Sequence, residues 1–133
     1  NRRPVGERFV TKTRQLPSGC FEWLGAKSPE GSGRFRLNRR SQPAHRVAYM
    51  FRYGPITSDL VIDHLCRNPS CVNPDHLELV TNRVNILRGE NFAAQNARKT
   101  HCLRGHPFTP SNTYRDRKNR RYCVACRRMR LTR

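Results

Sequence analysis

The chain has 133 residues with 27 Lys plus Arg against 9 Asp plus Glu, a formal net charge of +18, and that balance points to a polyanionic partner, nucleic acid first. Only 35% of its residues are hydrophobic, so the core is expected to be thin and stapled, since a well-filled domain of this length buries roughly 68% of its unfolded surface. The longest apolar run, Val47 to Phe51, falls far short of the ~20 residues of a membrane-spanning helix, which excludes one.

Residues 1–19 are basic and poor in apolar side chains, and read as an arm or an edge. Asn1-Arg2-Arg3-Pro4 shows no hydrophobic stretch of a secretion signal, so an intracellular location is expected. Cys20 to Gly25 reads as a strand; Pro29, Gly31 and Gly33 mark a turn, and Arg34 to Leu37 returns as its hairpin partner. Pro43 opens and Gly54-Pro55 closes a helix over Ala44 to Tyr53, with Val47, Met50 and Phe51 at helical spacing. Leu60 to Leu65 and Leu77 to Val80 read as two strands separated by Asn-Pro turns at Asn68-Pro69 and Asn73-Pro74. Thr81 caps a following helix whose buried stripe is Val80, Val84 and Leu87. Strand, loop, strand and helix thus make a central unit over about residues 60–95, and residues 96–101 read as a linker. Cys102 to Arg133 is a small ribbon with a hairpin around Asp116 to Arg120 and a basic final helix. The expected division is therefore 1–95 and 96–133.

Six cysteines admit either disulfides or metal. Their neighbours favour zinc: Cys102-x3-His106 and Cys123-x2-Cys126 supply four ligands at knuckle spacing, and Cys66-x4-Cys71-x4-His76 supplies three. Two ligands flanking a tight turn occupy adjacent corners of a tetrahedron, and a distant pair closes it. Cys20 is the thiol left over; it either completes the first site, giving two Cys₃His sites, or is a buried free thiol beside Trp23. Three thiolates and one Zn²⁺ sum to −1 per site, which leaves the chain at about +16.

The string Asp63-His64-Leu65-Cys66 through Cys71-Val72-Asn73-Pro74-Asp75-His76-Leu77, followed by Asn82-Arg83-Val84-Asn85, resembles the ββα-metal nucleases. The Asp-His, Asn, Asn order is similar to the HNH family in its HNN form, and the His-x-Cys-x4-Cys-x-Asn-Pro-x-His-Leu run to the His-Cys box homing endonucleases. The resemblance extends by pattern to Cys20 and Ala44-His45-Arg46. It implies an α+β fold, a small zinc-stapled ββα-metal nuclease core followed by a C-terminal zinc ribbon like those of many phage HNH proteins. It implies His64 as general base, Asp63 and Asn85 as holders of one catalytic Mg²⁺ or Mn²⁺, and Asn73 as an amide that bridges the loop. It also implies two structural Zn²⁺, one on Cys20, Cys66, Cys71 and His76 and one on Cys102, His106, Cys123 and Cys126. Such an enzyme hydrolyses double-stranded DNA to 5′-phosphate and 3′-hydroxyl ends, in homing, restriction or phage nicking, inside a bacterial host. A homodimer is expected if both strands of a symmetric site are cut.

Physical chemistry agrees with these roles: a neutral imidazole takes a proton near pH 7, and Mg²⁺ prefers oxygen ligands. One difficulty stands, because adjacent strand residues face opposite ways, so Asp63 and His64 share a site only at a strand end or twist. Among candidate cations for the scissile phosphate, Arg46 is favoured over Arg40 and Arg88, and His45 and His101 read as ordinary polar residues. The competing reading is a non-catalytic, zinc-stabilised DNA-binding module.

Overall fold

A computed structural model describes residues 3–131, which form two compact units that divide between Ile86 and Leu87. The fold is mixed α+β, with four separate two-stranded antiparallel sheets and short helices among the described residues.

In the first unit, α1 (Val5–Val10) leads into β1 (Thr13–Gln15), which pairs with β2 (Phe21–Trp23) in the register Thr13 opposite Trp23. β3 (Arg34–Leu37) pairs with β4 (Arg40–Pro43), and α2 (Ala44–Tyr53) follows directly. β5 (Leu60–His64) pairs with β6 (Leu77–Thr81), and α3 (Asn82–Arg88) runs on from it. The core gathers Phe9, Trp23, Phe35, Ala44, Val47, Ala48 and Val72. Trp23 is its centre: fully buried, it lies 4.9 Å from the Phe9 ring and 5.7 Å from that of Phe35, and its Nε1–H donates to the Ala26 carbonyl. Gly33 makes this possible, because a Cβ there would come within 2.6 Å of the indole.

The second unit contains α4 (Phe92–Arg98), β7 (Thr113–Arg115) paired with β8 (Arg121–Cys123), and α5 (Val124–Leu131). Among its described residues only Ala94 and Cys123 are buried apolar groups, too little to order a hairpin and two helices without a metal staple.

Helix α2 has the expected bounds, set by Pro43 before it and Gly54 at φ +93° after it. Its buried face is Ala44, Val47 and Ala48; Phe51 is exposed but stacks edge-on against Phe9 at 5.7 Å. Four expectations need correction. Of the arm or edge expected over residues 1–19, the described residues give the edge and not the arm: they supply α1 and the edge strand β1, and Phe9 enters the core. Cys20–Gly25 does not pair with Arg34–Leu37, because residues 26–33 close on themselves, with Ser28 N donating to Ser32 O and Lys27 bridging Gly33. β3 turns instead at Asn38-Arg39, both at positive φ, the geometry of a two-residue hairpin turn. Thr81 caps α3, accepting from Val84 N, but Val84 and Leu87 are exposed and only Val80 of that stripe is buried. The expected linker at 96–101 is partly helical, since Asn91 caps α4 over Phe92–Arg98.

Candidate metal centres and active site

The two cysteine–histidine clusters assemble as spaced. Cys20, Cys66, Cys71 and His76 bring their ligand atoms within 4.8 Å of one another, and so do Cys102, His106, Cys123 and Cys126. A zinc tetrahedron with bonds of about 2.3 Å to sulfur and about 2.0 Å to nitrogen has edges of about 3.5 to 3.8 Å. The observed spacings fit it: Cys20 Sγ and Cys71 Sγ lie 3.5 and 3.7 Å from His76 Nδ1, Cys102 Sγ lies 3.7 Å from Cys126 Sγ, and His106 Nδ1 lies 3.4 to 3.7 Å from three thiols. All six cysteines are free thiols, so both clusters could hold zinc and the disulfide reading falls. Without metal the thiols are unequal: a hydrogen bond from Ser18 leads the effects that bring Cys20 down to about 7, while burial pushes Cys71 up to about 12.

The first cluster organises the loop between β5 and β6. Asn73 ties that loop across: its Nδ2 donates to Gly19 O at 2.8 Å, its Oδ1 accepts from Asp75 N at 3.0 Å and caps the 3₁₀ turn Pro74–His76. Asn73 thus links the residue before Cys20 to the residue before His76, two metal-site positions far apart in sequence.

Asp63 and His64 are the last two residues of β5. There the chain turns: Arg67 N donates to His64 O, Leu65 N to His76 O, and Arg67 adopts φ +57°. Asp63 is 3% exposed and its Oδ1 accepts from Arg67 Nη1 at 2.7 Å. His64 is half-buried, with Nε2 3.2 Å from the Cys71 carbonyl oxygen. A carbonyl can only accept, so Nε2 carries the proton and Nδ1 keeps its lone pair. Burial holds the His64 imidazole below its ordinary 6.5, against opposing pulls from the Cys71 carbonyl and Asp63, so the ring is neutral at pH 7.

Asn85 is half-buried one turn into α3, and Arg46 is half-buried at the start of α2. Arg40 lies on exposed β4 and Arg88 ends α3. Two residues beside His64 escape a reading by spacing. The His45 ring packs edge-on against His64, centroids 4.8 Å apart, with its Nδ1 buried and without a hydrogen-bond partner; nothing in a 19-residue separation signals that apposition. Arg67 is the other, and its position four residues after Asp63 inside the Cys-x4-Cys loop was the available signal. His101 is exposed, bonded to Thr100 Oγ1.

On the second unit, Tyr114, Asp116, Tyr122, Arg127 and Arg130 line a shallow cleft of about 460 Å³ over the zinc-type cluster, with the Arg127 guanidinium 5.0 Å from the Tyr114 ring. Asp116 is committed locally, accepting from Arg120 Nε and from the amides of Lys118 and Arg120.

Comparison with known proteins matches residues 42–87 to the HNH endonuclease family, a span that holds His45, Arg46, Asp63, His64, Cys66, Cys71, Asn73, His76 and Asn85 and leaves out Cys20 and the ribbon. The chain is 39% identical to Protein 7.7 of Escherichia phage T7 over 50% of this chain and 51% of that one. It is 32% identical to Protein 2.8 of the same phage over 59% and 55%, and 27% identical to the uncharacterized gene 5.3 protein of Enterobacteria phage T3 over 63% and 90%. The chain therefore spans about half the length of the two T7 relatives. No solved structure matches it. Over residues 42–87 the resemblance to HNH nucleases read from the sequence holds, and no helix of the described residues is long and apolar enough to cross a membrane.

Proposed function

We propose that the chain is a divalent-metal-dependent endonuclease that hydrolyses double-stranded DNA, with His64 as general base. The observation that carries this reading is the hydrogen bond between His64 Nε2 and the Cys71 carbonyl, which fixes the tautomer and leaves Nδ1 as the proton acceptor, on a segment that matches HNH endonucleases. His64 Nδ1 takes a proton from water as its oxygen attacks phosphorus; the P–O3′ bond breaks opposite, the leaving oxygen gains a proton from solvent, and 5′-phosphate and 3′-hydroxyl ends result. Asp63 and Asn85 offer a carboxylate and an amide oxygen, a hard donor set that suits Mg²⁺ or Mn²⁺. Such a cation, when bound, neutralises charge on the phosphate and the departing oxygen. Asn73 keeps the loop in register with Cys20 and His76, and Arg46 adds positive charge on the α2 side. The two clusters hold structural Zn²⁺.

The ribbon supplies grip. Residues 96–133 contain twelve Lys and Arg against one acid, Asp116, and cationic residues packed over tyrosine rings suit a phosphate backbone. A nuclease core over 1–95 and a DNA-holding ribbon over 96–133 therefore divide the work, in a homing, restriction or phage nicking setting, with dimerisation where both strands are cut.

Supercoiled plasmid incubated with wild type and His64→Ala, with and without Mg²⁺, tests the reading. Nicked or linear product from wild type with metal, and none from the variant, is expected. A wild type that binds DNA and leaves every plasmid supercoiled would make the chain a zinc-stabilised binding module instead.

A further inference from the structure

Asp63 carries its carboxylate at 3% exposure, and a charge so far from water needs a cation. Arg67 supplies it, Nη1 to Oδ1 at 2.7 Å, yet the Arg67 side chain remains 54% exposed. Its backbone is held as firmly as its head: Arg67 sits between the metal-site residues Cys66 and Cys71, donates its amide to His64 O at 3.1 Å, and takes the left-handed φ of +57° that non-glycine residues adopt reluctantly. An arginine needed only to neutralise Asp63 uses one edge of its guanidinium; the fork has five donors, the side chain stays 54% exposed, and its charge is felt by the His64 imidazole.

We propose that Arg67 is a catalytic residue that binds the scissile phosphate, its guanidinium bridging Asp63 and a non-bridging phosphate oxygen next to His64. This rests on the endonuclease reading for the identity of the site. A phosphate presented to a water on His64 meets the guanidinium fork, whose planar donors match phosphate oxygens and gain strength as negative charge grows on them in the transition state. No bond to Arg67 forms or breaks; the proton moves from water to His64 and the P–O3′ bond is the one cleaved. A carboxylate has two oxygens with several lone pairs, so Asp63 can orient Arg67 and serve a cation as well. Arg46, by contrast, reaches the site from α2, where its charge is felt by His45.

The test uses the zinc-loaded full chain. Binding to a fluorescein-labelled DNA duplex is followed by anisotropy across a KCl series, without Mg²⁺ and without chelator, and single-turnover plasmid cleavage is then measured in Mg²⁺. Arg67→Gln is expected to make the slope of log affinity against log salt shallower by about 0.9, the loss of one phosphate contact, and to slow cleavage roughly 10²- to 10³-fold. Arg67→Lys should restore the slope and only part of the rate, since it keeps the charge without the fork. If Arg67→Gln strands Asp63 and fails to fold, the same comparison is made between Asp63→Asn and Asp63→Asn/Arg67→Gln. An unchanged salt slope overturns the proposal. A wild type that cuts nothing defeats the endonuclease reading instead, and the slope still decides whether Arg67 meets a phosphate.

Discussion

Replacing His45 by phenylalanine should stabilise the first unit, and more so as the pH falls. His45 packs its ring 4.8 Å from that of His64 and leaves Nδ1 buried with no partner. Burial, helped by His64 and Arg46, brings its proton affinity down from 6.5 to about 4. Between those values the unfolded chain protonates this imidazole and the folded chain does not, so the unfolded state binds more protons and stability rises with pH across the window. The contribution is intact above pH 6.5 and is lost progressively towards pH 4, with a limit of about 3 kcal/mol. Removing the orphan nitrogen adds about 1 to 3 kcal/mol that does not depend on pH. His45→Phe is therefore expected to exceed wild type by about 1 to 3 kcal/mol at pH 7.5, the margin widening by about 2 kcal/mol between pH 6.5 and 5. Urea unfolding of the zinc-loaded proteins, followed by the fluorescence of Trp23, measures it, and cysteine protonation cancels in the difference between the two. A margin that stays flat with pH, or a phenylalanine variant less stable than wild type at pH 7.5, would refute the burial argument.

Elemental analysis should find two zinc ions per chain, and Cys20→Ser and Cys102→Ser should each lose one. Because structural zinc contributes about 10 to 16 kcal/mol to folding of a small domain, Cys20→Ser should collapse the amide spectrum of residues 1–86, and Cys102→Ser that of the second unit; retention of both metals would break the ligand assignment. Gly33→Ala drives a Cβ within 2.6 Å of Trp23 and 3.0 Å of Ala44 Cβ, overpacking that costs about 1 to 3 kcal/mol and should lower the urea midpoint; an unmoved midpoint would mean that the indole yields. For cleavage, burial keeps His64 below 6.5 and the neutral ring is the base, so the rate should climb with pH through a midpoint below 6.5 and then level. A midpoint above 6.5 would assign the acid limb to another group.

The parts of this fold that could be read from the sequence are those in which spacing dictates geometry. Pro43 and Gly54 bracket α2 because one cannot sit inside a helix and the other takes a positive φ after it. Ligand spacing picks out Cys102, His106, Cys123 and Cys126 and three members of the other cluster, Cys66, Cys71 and His76, because ligands flanking a tight turn share a tetrahedron; it leaves distant Cys20 open between a ligand and a buried thiol, and the fold brings Cys20 to the other three. Strand pairing was less legible. Whether β2 takes β1 or β3 depends on the closure of residues 26–33 and on the burial of Trp23 beneath Gly33, neither of which leaves a periodic signal. The break between α3 and α4 follows Gly89 and the Asn91 cap, yet the apolar spacing of Val84 and Leu87 argued for one buried helix. The neighbours of His64 were the least visible, since a ring contact from α2 and an ion pair inside the loop are tertiary facts.

Cys71 joins stability to chemistry in one residue. Its Sγ belongs to the first metal cluster, 3.7 Å from His76 Nδ1, its carbonyl accepts from His64 Nε2, and its amide donates to Asn68 O. In the proposed mechanism the carbonyl sets which imidazole nitrogen is free, so the metal site fixes the tautomer of the base through the peptide unit it anchors. The two-stranded pair β5–β6 is marginal by itself, and Asp63, His64 and Arg67 all hang on the end of that pair. In that mechanism, loss of a zinc from the first cluster would remove the orientation of the base and the partner of the buried carboxylate together. A zinc on Cys71 Sγ would stand four bonds, through Sγ, Cβ and Cα, from the carbonyl carbon that aims the general base.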